Sequence, residues 1–97
     1  MNSYELIFIV QPDIDEEGSV RLLQRFTDRV RSLGGEVTKL DTWGRRRLGY
    51  PIRKYREGFY YEVNLDLAPQ ALDELTGMLK LTEPVLRYLV LRQTEAQ

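Results

Sequence analysis

An α+β fold, with two helices laid on one face of a four-stranded antiparallel sheet, is what three observations predict for this 97-residue chain. Four stretches read as strands and two carry an apolar stripe at helical spacing. They follow one another as βαββαβ, an order in which the two helices fall on the same side of one sheet. The length also sits just under the usual domain size of about 100 to 150 residues, so residues 1–97 are expected to form a single domain. Two right-handed crossovers then place the first and third strands at the centre and the second and fourth at the edges, the ferredoxin-like, split-βαβ arrangement.

Each element has its own signal. In residues 4–10, Tyr4, Leu6, Phe8 and Val10 alternate with Glu5, Ile7 and Ile9, a period of two in strand-forming residues. Pro12 and the acids Asp13, Asp15, Glu16 and Glu17 prepare a helix N-terminus, with Asp15 the best capping residue. The stripe Leu22, Leu23, Phe26, Val30 and Leu33 follows, and Gly34-Gly35 ends it. A second strand starts near Glu36, is interrupted at Gly44 by a bulge or bend, and reaches its far end at Gly49-Tyr50-Pro51. A link over residues 53–58 leads to the third strand, where Phe59, Tyr61, Val63, Leu65 and Leu67 alternate with Tyr60, Glu62, Asn64 and Asp66. Pro69 suits the first turn of a helix with the stripe Leu72, Leu75, Met78 and Leu79, which Thr82-Glu83-Pro84 stops. Residues 85–92 form the last strand.

Composition removes many functions. The chain has 42% hydrophobic and 30% charged residues, enough apolar content for a modest core. It has no Cys and no His, so thiolate nucleophiles, imidazole acid–base relays and the usual zinc and haem ligands are missing, and no cofactor or metal is expected. No apolar run approaches the roughly 20 residues of a membrane span, and the first ten residues lack the pattern of an export signal, so a soluble cytoplasmic protein without a membrane partner is expected. The net charge of −1 hides a strong asymmetry. Residues 39–56 hold seven basic side chains against Asp41 alone, a net of +6, and the rest of the chain carries −7. Trp43, Tyr50 and Tyr55 interleave with those cations, and such rings stack on bases, so a polyanion is the natural partner. A solvated, functionless hairpin is the competing reading.

The fold alone leaves enzymes, regulatory ligand binders and RNA binders open. An acyl-phosphate hydrolase needs a phosphate cradle after the first strand, where this chain has the acidic Gln11-Pro12-Asp13-Ile14-Asp15. Asp15 with Glu16, and Asp73 with Glu74, are sequence neighbours on helices that splay apart, so no catalysis is assigned to them. Comparison with the RNA-recognition motif is partial: around Gly58-Phe59-Tyr60-Tyr61, Glu57 and Tyr60 break the pattern, and Phe59 and Tyr61 read as core.

The run Trp43-Gly44-Arg45-Arg46-Arg47-Leu48-Gly49-Tyr50-Pro51-Ile52-Arg53-Lys54, followed by Glu57-Gly58-Phe59-Tyr60, resembles the hallmark of the bacterial small-subunit ribosomal protein six family. Tyr4-Glu5 and the acidic start of the first helix are similar too, and the resemblance spans residues 4–92. Gly49 stands where the family usually has alanine, and Asn2-Ser3 lacks a basic residue often found before the tyrosine. The tail after Arg92 is shorter than in members whose tail wraps a neighbouring protein, which implies a reduced contact there.

The resemblance implies a non-enzymatic, RNA-binding ribosomal domain that binds the central domain of 16S rRNA together with ribosomal protein eighteen. The alternative is a small-ligand-binding regulatory domain of the same fold. Arg45, Arg46, Arg47, Arg53 and Lys54 are the expected phosphate contacts. At most two of three successive arginines share a face on a strand unless Gly44 makes a bulge, so a subset is expected to touch phosphates and another to close a structural ion pair. Tyr50-Pro51 reads as structural, with the ring against the domain. If Leu6, Phe8 and Val10 point into the core with Leu86, Tyr88 and Val90, alternation turns Ile7, Ile9, Leu89 and Leu91 outward as one apolar patch for a protein partner.

Overall fold

The computed structural model describes residues 1–93, so all of the short tail discussed above except Gln93 lies outside the described residues. The chain forms β1 (Asn2–Val10), α1 (Glu16–Ser32), β2 (Glu36–Ile52), β3 (Tyr55–Leu67), a single 3-10 turn (Pro69–Ala71), α2 (Leu72–Leu81) and β4 (Val85–Gln93). All strand pairs are antiparallel, in the order β2-β3-β1-β4, so the central and edge strands are those the sequence predicts.

The core lies between the sheet and the helices because alternation assigns every second strand residue to that side. Leu6, Phe8 and Val10 of β1 and Val63, Leu65 and Leu67 of β3 are buried there, against Phe26 and Val30 of α1 and Leu75 and Leu79 of α2. Phe8 is the hub, its ring centroid 5.5 Å from those of both Phe26 and Tyr61. Burying a side chain of this size contributes about 1.5 to 3 kcal/mol. Tyr61 is buried and Phe59 is packed on the same cluster, so neither offers a ring to a base. Asp15 caps α1, its carboxylate accepting the Gly18 N–H at 2.7 Å.

Three features differ from the sequence reading. Pro69 opens the 3-10 turn, and α2 proper begins three residues later, without a side-chain cap. β4 carries a bulge: Ile9 faces Arg87 while Val10 faces Val85, so Leu86 is the extra residue and both Val85 and Leu86 are buried. The largest difference concerns β2, which continues to Ile52 instead of ending at Gly49-Tyr50-Pro51. Gly44 makes the expected bulge with φ of +82°, and a further offset between Arg47 and Ile52 accommodates residues 48–51. Residues 53–58 are therefore no loose link. Ile52 pairs with Tyr55 across a two-residue turn whose central residues, Arg53 and Lys54, both have positive φ, 48° and 69°. Hairpins favour that conformation because its twist matches the strands, but Asn-Gly is the usual occupant, which is why an Arg-Lys pair hides it from sequence reading.

Candidate nucleic-acid interface

β3 pairs with β1 only as far as Phe59 opposite Val10, whereas β2 and β3 stay paired to Ile52 opposite Tyr55. Residues 45–58 thus form a ribbon running past the end of β1, and the basic run is on it. Gly58 lets the ribbon cross β1: a Cβ there would collide with the Ile9 side chain and come within 3.1 Å of the Val10 carbonyl oxygen.

The ribbon is tied down on both sides. On one side, Arg45 donates from Nη2 to the Pro12 carbonyl at 3.3 Å, its guanidinium 5.5 Å from the Phe59 ring centre. The Tyr55 hydroxyl donates to Oδ2 of Asp13 at 2.9 Å, and this bond to a carboxylate pushes the phenol's pKa up. On the other side, Arg53 donates from Nη1 to the Glu83 carbonyl at 2.7 Å. Arg87 of β4 donates to the Tyr50 hydroxyl and lies 5.6 Å from the centre of its ring.

These ties sort the expected phosphate contacts. Arg45 and Arg53 each spend one N–H on a backbone carbonyl. Arg46 lies over Trp43, 5.2 Å from the ring centre, with Nε 3.5 Å from the Trp43 carbonyl. The side chains of Arg47 and Lys54 are exposed and, among the described residues, make no hydrogen bond, ion pair or cation–π contact. The expected structural ion pair is not formed: none of the three successive arginines closes one among the described residues, because Arg45 reaches the turn after β1 and meets a carbonyl instead of a carboxylate. Arg56, outside the expected set, faces the same concavity as Arg47, Tyr50 and Pro51, a space of about 220 Å³. Its signal was present in the basic run.

The aromatic side chains are engaged by the protein itself. Trp43 stacks on Tyr60, centroids 5.9 Å apart and planes 4° from parallel, and donates Nε1–H to Glu62 at 3.2 Å. Tyr50 is held by Arg87 and Tyr55 by Asp13.

Opposite the helices, the sheet face carries the four aliphatics where alternation puts them. Ile7 and Ile9 are half-buried, and Leu89 and Leu91 are 53% and 45% exposed. Ile7 lies opposite Leu89 in register, Glu5 opposite Leu91 and Ile9 opposite Arg87, so they form one band across β1 and β4. Beside it, the Glu5 carboxyl has its pKa raised by hydrogen bonding with Glu62, partial burial and repulsion from that second carboxylate, against a smaller opposing pull from Lys39.

Among the described residues no group of His, Cys, Asp or Glu could hold a metal ion, and no helix is long and apolar enough to cross a membrane. Fold and surfaces define the class first: a small split-βαβ binding scaffold that presents a basic ribbon and an apolar sheet face. The chain belongs to the ribosomal protein S6 family, whose model matches residues 3–92. It is 39% identical over 95 residues to small ribosomal subunit protein bS6 of Moorella thermoacetica, covering 98% of this chain and 97% of the relative. Against bS6 of Streptomyces coelicolor it is 45% identical over 92 residues, 95% of this chain and 96% of the relative. The crystal structure of 30S ribosomal protein S6 from Thermotoga maritima superposes with a TM-score of 0.89 at 28% identity, covering 95% of this chain and 87% of that one. Membership makes the chain a structural protein of the small subunit, part of the cytoplasmic ribosome in bacteria and not an enzyme.

Proposed function

We propose that the ribbon binds the central domain of 16S rRNA, with Arg45, Arg46, Arg47, Arg53 and Lys54 as its phosphate contacts, while the face bearing Ile7, Ile9, Leu89 and Leu91 receives ribosomal protein eighteen. The observation that carries the RNA reading is the exposure of Arg46, Arg47 and Lys54 within residues 39–56, a run of net charge +6 whose cations close no ion pair apart from that of Lys39 with Asp41 among the described residues. Unpaired cations on a projecting element release counterions from a phosphate backbone when they bind it, each contact contributing about 0.7 to 0.9 to the salt slope of log affinity.

The test is single alanine substitution at the three successive arginines, with RNA affinity measured across a salt series and stability measured beside it. Arg47→Ala removes a side chain that makes no hydrogen bond, ion pair or cation–π contact among the described residues and is expected to weaken binding about five- to tenfold with unchanged stability. Arg45→Ala is expected to lose stability, by about 0.5 to 1.5 kcal/mol for its hydrogen bond, and less affinity. Equal losses of affinity at all three positions with unchanged stability count against this division of roles.

A further inference from the structure

Past the ribbon tip, the end of α2 and the start of β4 border an open concavity of about 300 Å³ lined in part by Arg53, Lys80 and Arg87. Its floor is apolar, formed by Val85, Leu86 and Tyr88, and no carboxylate lines it. The three cations come from three elements far apart in sequence. Each has a local explanation taken singly: Lys80 sits in the last turn of α2 and complements its dipole, Arg53 satisfies the Glu83 carbonyl, and Arg87 holds Tyr50. None of these explains why all three surround one space. Among the described residues none of them is in an ion pair, so their charges are left for an outside partner. Like charges focused on a concavity attract an anion and are relieved by it.

We propose that this cavity seats a phosphodiester of the ribosomal RNA, adding Lys80 and Arg87 to the ribbon as one continuous phosphate track. The inference rests on the RNA-binding reading above and extends it from β2 and β3 to α2 and β4. Arg53 serves both surfaces: its Nη1 is fixed on Glu83, and the remaining N–H groups of its five-donor guanidinium stay available to the anion. The apolar floor excludes water beneath the bound group, which strengthens each charge contact.

The experiment follows rebinding of the protein to small subunits depleted of it, and to the naked rRNA fragment, over a salt series. Lys80→Gln is the main variant, since Lys80 is exposed and its side chain makes no hydrogen bond or ion pair among the described residues. Arg87→Gln is paired with Tyr50→Phe, which removes the hydroxyl that Arg87 holds but keeps the charge. Lys80→Gln and Arg87→Gln are each expected to lower the salt slope by about 0.7 to 0.9 and the low-salt affinity several-fold, with Tyr50→Phe close to wild type. Unchanged slopes for Lys80→Gln and Arg87→Gln overturn the proposal, whether or not Arg47→Ala weakens binding. If Arg47→Ala has no effect while Lys80→Gln does, the ribbon reading fails and the seat stands. A loss seen with the depleted particle but absent with naked RNA assigns the cavity to an acidic protein and overturns the phosphodiester. Saturable binding of inorganic phosphate alone, without any slope change on RNA, makes it a free-anion site and overturns it too.

Discussion

Glu5 and Glu62 show at the scale of single residues how the open face of the sheet differs from an inert surface. They belong to neighbouring strands and stand diagonally on the same side, near enough for one carboxyl to raise the pKa of the other. A carboxyl whose pKa is raised by folding binds its proton more tightly in the native state than in the unfolded chain. Its favourable contribution is therefore complete in acid, below the ordinary carboxylate range, and is lost as pH rises through that range to the raised native value. At neutral pH the pair repels, held only by Lys39 and by the Trp43 N–H on Glu62. Glu5→Gln should accordingly raise the denaturant midpoint at neutral pH, and the gain should vanish in acid and shrink with added salt. A gain of equal size at both pH values would assign it to side-chain propensity instead of charge. A surface that keeps two neighbouring carboxylates beside four aliphatics suits a partner with basic side chains, which would relieve their repulsion on docking.

The elements whose hydrophobic period is unbroken were legible in the sequence, and the one built on a backbone exception was not. Alternation in β1 and β3 assigned every buried side chain to its face, and Asp15 marked the start of α1 because a carboxylate three residues before a free N–H has one obvious use. The ribbon tip failed that reading. Arg53 and Lys54 carry side chains in the left-handed region, at a cost of about 1 to 3 kcal/mol for each such residue, and no propensity rule expects them there. Lys80 and Arg87 were illegible for a different reason, since only the crossing of the ribbon towards β4 brings them to Arg53. Strain retained at a projecting tip has a testable meaning. Replacing Arg53 and Lys54 together by Asn and Gly supplies the pair that this turn favours. The double variant should gain about 1 kcal/mol in stability, net of the lost bond to Glu83, while its RNA salt slope falls by the equivalent of one to two phosphate contacts. A variant more stable and undiminished in RNA binding would show that the basic turn has no such role.

Over the whole molecule, the two faces of the sheet divide the work: one is consumed by the helices, and the other is left open with the ribbon rising at its end. The helix-covered face accounts for the core, so side chains on the open face can change without opening a cavity in that core. Ile9 and Leu89 test this, because they flank the centre of the aliphatic band on β1 and β4 and belong to the open side. Apolar bands of this kind mark interaction sites, and aliphatic side chains lack the ring faces that bases stack on, which favours a protein over RNA here. Ile9→Ser with Leu89→Ser should leave the cooperative unfolding transition in place, with a midpoint shifted by no more than the modest change expected of partly exposed positions. Affinity for ribosomal protein eighteen should fall at least tenfold. RNA binding should weaken only when that protein is present, since the ribbon and its cations are untouched and the partner's contribution reaches RNA through the shared surface. Weaker RNA binding in the partner's absence would place nucleic acid on the aliphatic band, and loss of cooperative unfolding would show that Ile9, which also touches Gly58 at the crossing, is part of what holds the ribbon to the sheet.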